Sequence, residues 1–138
     1  MEEQIIFFGH RNVRAMHERT IELTKAREIT LRGDCIIGVN ANKACADLSD
    51  ALKHRLRGEN SVVRLSIMVG EYVYSFKAFG TSSLTLADKH DMVLRKSTFI
   101  CPRTVAVGCS RASNDIPKSI IQLLRDPATK GVLSINIE

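Results

Sequence analysis

The sequence repeats itself, and no other feature limits its fold so strongly. Displaced by 68 residues, VNANKACADLSDALKHRLRG (39–58) falls on VGCSRASNDIPKSIIQLLRD (107–126), so that Val39 meets Val107, Ala44 meets Ala112, Asp47 meets Asp115 and Arg57 meets Arg125. The same displacement lays LSI at 65–67 on LSI at 133–135. Earlier in each half the displacement is 71. There FG at 8–9 meets FG at 79–80, Lys25 meets Lys96 and Arg32 meets Arg103, leaving Gly33, Asp34 and Cys35 without counterparts. The units are about 4–70 and 72–138, within one domain of 138 residues. Two related units facing each other about a pseudo-twofold axis bury apolar faces that neither covers alone.

Each unit reads as several strands, one helix and a closing strand. QIIFF and EYVYSFKAF are rich in Ile, Phe, Val and Tyr, the residues that fit a pleated surface. NVRAM and TIELT read as strands, matched by SLTLA and DMVLRK, and CIIGV and TVAVG suit short buried strands. A helix follows in each half. Leu48, Ala51, Leu52 and Leu56 share a stripe, with Asp47 as its cap and Gly58 as its stop. In the second half Ile116, Ile120 and Leu124 repeat the stripe, with Asp115 as the cap and Pro117 in the first turn. VVRLSIMV and VLSINIE close the halves. The expectation is an α+β fold that is predominantly β: two strand-rich repeats, each with one helix, packed as a sandwich-like or barrel-like single domain.

Composition narrows the partners. No apolar run reaches the roughly 18 residues of a spanning helix, and the acidic start lacks the basic flank of a signal peptide, so a soluble cytoplasmic protein is expected. The net charge of +5 divides as +2 in residues 1–70 and +3 in 71–138, without a run of Lys and Arg. Trp is absent, so stacking platforms for single strands are scarce. Cysteines 35, 45, 101 and 109 show no C-x-x-C spacing and read as small apolar side chains rather than zinc ligands. The sequence names no cofactor, leaves a homo-oligomer open and excludes the Gly-rich nucleotide loops, the nucleophile elbow and H-E-x-x-H.

The candidate chemistry lies in GHRNVRAMHERTIELTK, residues 9–25. As a single strand, 13–23 puts Val13, Ala15, His17, Arg19, Ile21 and Leu23 on one face. That face is apolar except at His17 and Arg19, and the displacement of 71 lays these on Asp88 and His90. Three readings compete: solvated turns at HERT and DKHD, a buried network across the axis, or a general acid–base or anion site at the repeat interface. His10 and Asp34 are further candidates for such a site, although LRGDC also reads as a tight turn built on Gly33. Arg95, Lys96 and Arg103 form a second set that suits an anion or phosphate. No metal is expected, since the spacing of His17, Asp88 and His90 specifies no ligand geometry.

GHRNVRAMHERTIELT (9–24), RGDCIIGV (32–39), DMVLRKS (91–97) and RTVAV (103–107) together resemble an archaeal family known only as domain of unknown function 371. The resemblance implies an archaeal cytoplasmic source and a β-sandwich-like architecture, and it carries no activity, substrate or catalytic residue. The function read from the sequence is a small cytoplasmic enzyme or small-ligand protein with a polar site between the halves. The alternative is a module that binds nucleic acid or protein on a basic face.

Overall fold

Strands form here where alternating apolar residues find a second layer to cover them. The computed structural model describes residues 1–138. Strands β1 (Glu2–Phe8), β2 (Thr20–Thr24) and β3 (Ile36–Gly38) lead to a one-turn 3-10 helix at Cys45–Asp47, helix α1 (Asp50–Leu56) and strand β4 (Val62–Val69). The same succession then recurs: β5 (Tyr72–Phe79), β6 (Asp91–Arg95), β7 (Thr104–Ala106), a 3-10 turn at Ser113–Asp115, α2 (Lys118–Leu124) and β8 (Lys130–Ile137). The architecture is α+β and predominantly β, with eight strands in two open four-stranded sheets ordered β1-β8-β4-β5 and β3-β2-β6-β7.

Each sheet is centred on an antiparallel ladder between the halves. In the larger sheet β4 pairs with β8, placing Ser66 opposite Ser134. In the smaller sheet β2 pairs with β6, placing Glu22 opposite Val93, while β3 and β7 flank in parallel. Val63, Leu65, Ile67, Leu133, Ile135 and Ile137 point from the larger sheet into one cluster of 35 buried residues. Ile21, Leu23, Met92 and Leu94 reach it from the smaller sheet, and Leu52, Leu56, Ile120 and Leu124 from the helices.

Two expectations change. Both helices start later than their stripes suggest. The Ser49 hydroxyl caps α1 by accepting from the Leu52 N–H at 3.1 Å, and Pro117 occupies the N-cap of α2. Asp47 and Asp115 cap the 3-10 turns instead, accepting from the amides of Ala44 and Ala112 at 2.9 and 2.8 Å. NVRAM and SLTLA are not strands, because Ala15 and Leu86 adopt left-handed backbone, φ 52° and 51°. Val13, Ala15, Leu84 and Leu86 are nevertheless buried. Their segments are held by the other half's helix end: Arg125 Nε donates to the Val13 carbonyl at 3.2 Å, and Arg57 Nε to that of Leu84 at 2.8 Å.

β1 and β5 stop against these helix ends and the loops that follow them. The His10 amide donates to the Leu124 carbonyl at 2.8 Å, and the Gly80 amide to that of Ser61, in the loop after α1, at 2.9 Å. A Cβ at Gly9 would collide with the Leu124 and Asp126 carbonyl oxygens, and one at Gly80 with that of Leu56. Gly9→Ala and Gly80→Ala are each expected to cost about 1–3 kcal/mol, the range of overpacked sites. Lower midpoints in urea unfolding at unchanged slope would register this; wild-type midpoints would contradict it.

Candidate functional site

Alternation along β2 and β6 sends Thr20, Glu22, Thr24, Asp91, Val93 and Arg95 to the face of the smaller sheet away from the main core. Two residues enter from the neighbouring strands' first turns. Cys35 precedes β3, and its carbonyl accepts from the Glu22 amide at 2.9 Å; Arg103 precedes β7, and its carbonyl accepts from the Val93 amide at 2.8 Å. Cys35 and Arg103 therefore hold equivalent places, which corrects the pairing of Arg103 with Arg32. The guanidinium of Arg103 reaches past Val93 to Glu22, with Nη1 3.4 Å from Glu22 Oε1 and 3.3 Å from Asp91 Oδ2. Arg95 donates from Nε to the buried Thr104 hydroxyl at 2.9 Å and from Nη2 to Cys101 Sγ at 3.3 Å. Its guanidinium also covers the exposed Phe99 ring at 4.9 Å.

This cluster shifts the titration of Glu22 and Cys101. Burial, and then the charge of Asp91, raise the Glu22 carboxyl above its ordinary range against the opposing pull of Arg103 and Arg95. Glu22 is only 7% exposed. Burial alone would also raise the Cys101 thiol. The Arg103 amide, the Thr104 hydroxyl and the guanidinium groups outweigh it and bring the thiol down to about 7. The other thiols go the opposite way. Burial pushes Cys45 and Cys109 up to about 12, and burial with the Glu22 charge pushes Cys35 up to about 11. All four cysteines are free.

The residues singled out in the sequence are dispersed. Thr20 faces Arg95 and Thr24 faces Asp91, so the segments before Thr20 and before Asp91 leave the ladder at opposite ends. His17 and Arg19 therefore do not meet Asp88 and His90. His17 Nδ1 accepts from the amides of Arg19 and Thr20, both at 3.1 Å, while Asp88 accepts from those of His90 and Asp91 at 3.1 and 2.7 Å. Both side chains close turns that lead into strands, and Arg19 and His90 are exposed. Asp34 joins His17 and Arg19 around a shallow hollow of about 350 Å³. His10 stands elsewhere, buried, with Nε2 2.8 Å from Glu28 and Nδ1 accepting from the Asn12 amide at 3.0 Å. Of the second set, Arg95 and Arg103 converge as described, whereas Lys96 turns away to Asp115 at 3.3 Å. The three do not form one basic face.

Glu22, Asp91, Cys101 and Thr104 went unnoticed in the sequence. Glu22 alternates with Ile21 and Leu23 as any solvent-facing residue would, and Cys101 has no motif around it. A signal did exist: the displacement of 71 lays Glu22 on Val93, the residue it directly faces.

The model of the family described as "Domain of unknown function (DUF371)" matches residues 5–138. An uncharacterized protein of the archaeon Methanocaldococcus jannaschii is 36% identical over 118 residues, covering 86% of this chain and 87% of that protein. All four segments that carry the family resemblance send a side chain to the cluster: Glu22, Cys35, Asp91 with Arg95, and Arg103 with Thr104.

Two outcomes follow from the titrations. A carboxyl raised on folding supports the native state below its unfolded pKa and withdraws that support as pH rises through its folded value. Glu22→Gln should therefore flatten the loss of stability between mildly acidic and neutral pH, leaving the neutral protein at least as stable; a variant destabilised at neutral pH would contradict this. Iodoacetamide should modify Cys101 first, with a rate rising through pH about 7, and peptide mapping that finds Cys45 or Cys109 ahead of it would oppose the assignment.

Proposed function

The chain belongs to the DUF371 family, and we propose that it binds a small anionic molecule at the Glu22–Arg103 cluster, with acid–base and thiol groups set to act on it. The observation that carries this reading is Glu22. A carboxyl so buried, beside a second carboxyl and with its cation 3.4 Å away, is a poor stabilising device. Such groups persist most readily where a proton must be exchanged near neutral pH. Arg95 supplies the anion's partner. It pairs with no carboxylate and spends its donors on a hydroxyl and a thiol, so a planar carboxylate or a phosphate competes well for it. Arg103 adds the second charge, Glu22 gives or takes a proton, and Cys101 offers a thiolate within the same group.

The position of the cluster supports the reading further. We infer that the two halves descend from one duplicated unit and that the site occupies their shared axis. Four unpaired thiols agree with a working place in the reducing cytoplasm.

Titration with orthophosphate and with succinate, followed by amide NMR shifts, tests the site. Saturable shifts are expected at Glu22, Val93, Cys101 and Arg103 for at least one of the two. Arg95→Gln should weaken binding by about tenfold or more, the loss of one charge-assisted hydrogen bond. Shifts absent for both anions, or an Arg95→Gln variant that binds like the wild type, would overturn the proposal.

A further inference from the structure

Apart from the cluster, one cleft combines an apolar floor with unpaired cations. It measures about 520 Å³ and runs between the left-handed turn at Ala15 and the outer side of α2. Ala15, Ile116 and Ile121 form its floor, and Met16, 57% exposed, stands at its edge. Arg14, Lys118 and Arg125 surround it, with no acidic residue in the lining. None of the three cations takes part in an ion pair. Arg125 commits Nε to the Val13 carbonyl, Arg14 makes only 3.4 Å contacts to the Leu31 carbonyl and Met16 Sδ, and Lys118 makes no hydrogen bond.

Three unneutralised cations on one rim repel one another, an arrangement that an anion relieves. The apolar side adds a demand that a bare anion does not meet, since the exposed Met16 surface gains only by contact with another apolar group. The corresponding place across the molecule offers a control. Under the two displacements, Arg14 and Lys118 correspond to Thr85 and Asp50 and only Arg125 keeps a cation, Arg57, so the full basic rim occurs once.

We propose that this cleft is a second binding site, for a small molecule that carries one anionic group on an apolar body. The anionic group sits among Arg14, Lys118 and Arg125, and the body lies on Ala15, Ile116 and Ile121 against Met16. The volume is that of ordinary small-molecule sites. No residue is shared with the Glu22–Arg103 cluster, so either site stands if the other fails.

Naphthyl phosphate, naphthol and orthophosphate are the probes, with amide NMR shifts as the readout. Naphthyl phosphate is expected to bind more tightly than either of the others and to shift residues 14–16 and 114–122. The double variant Arg14→Gln, Lys118→Gln, both exposed positions, should weaken it by about tenfold or more. Met16→Gln should weaken naphthyl phosphate and leave orthophosphate unchanged. Binding no tighter than that of orthophosphate, or indifferent to the double variant, or mapped to the Glu22 cluster, would overturn the proposal. Wild-type affinity in Met16→Gln would overturn its apolar part.

Discussion

Everything in this structure depends on hydrogen-bonded ladders that run between the two halves of the chain. β4 finds β8, and β2 finds β6, across the middle of the molecule. Without its counterpart, either half would expose the edge of a long apolar strand, the condition that promotes aggregation. The helix ends strengthen this dependence. Arg57 and Arg125 each hold a loop of the opposite half, and Gly9 and Gly80 each let a strand end touch the opposite helix. Core, loops and caps are thus shared, and a half by itself would lack all three.

This arrangement explains where chemistry can reside. In the two central ladders Ser66 faces Ser134 and Glu22 faces Val93, residues related by the displacements of 68 and 71. Ser66 faces Ser134 without penalty, since their hydroxyls are neutral. A glutamate facing a glutamate would place like charges directly opposite each other, which is unfavourable. Val93 opposite Glu22 avoids such a pairing. The differences continue outward. Arg103 occupies the place that Cys35 holds in the other half, and under the same displacements Asp91 answers to Thr20, Arg95 to Thr24 and Cys101 to Gly33. The second half carries the additional polar and charged groups at each of these places. The core-facing neighbours, Ile21 and Leu23 against Met92 and Leu94, remain apolar in both.

The internal likeness of the sequence was enough to place strands, helices and their order, because core periodicity survives in both halves. It misplaced the segments before β2 and β6. Val13 and Ala15 alternate as a strand would, yet what keeps them buried is a left-handed residue and a guanidinium from a helix more than a hundred residues away. No local pattern reports such a partner. His17 interrupts that apolar face because it closes a turn, the first of the three readings its sequence allows. The polar cluster escaped notice because its members come from four separated segments, and no two of them make a motif. Arg95 and Arg103 were visible as cations, but their common target, Cys101, is indistinguishable by composition from the inert Cys45 and Cys109.

What the cluster can do follows from its charges. Three acidic groups, Glu22, Asp91 and the Cys101 thiol, share two guanidinium groups, those of Arg95 and Arg103. Ionising all three would leave one negative charge without a matching cation, and Glu22 is the member most removed from solvent. Glu22, raised by burial and by Asp91, and Cys101, lowered by its donors, are the two members drawn from opposite directions toward neutrality. What the two have in common is the pair of guanidinium groups, which act on both. In the proposed function, an anion that claims Arg95 removes one of the donors that lower the Cys101 thiol. On that proposal, binding changes the titration of the thiol, a linkage that the ordinary ion pairs elsewhere on the surface lack.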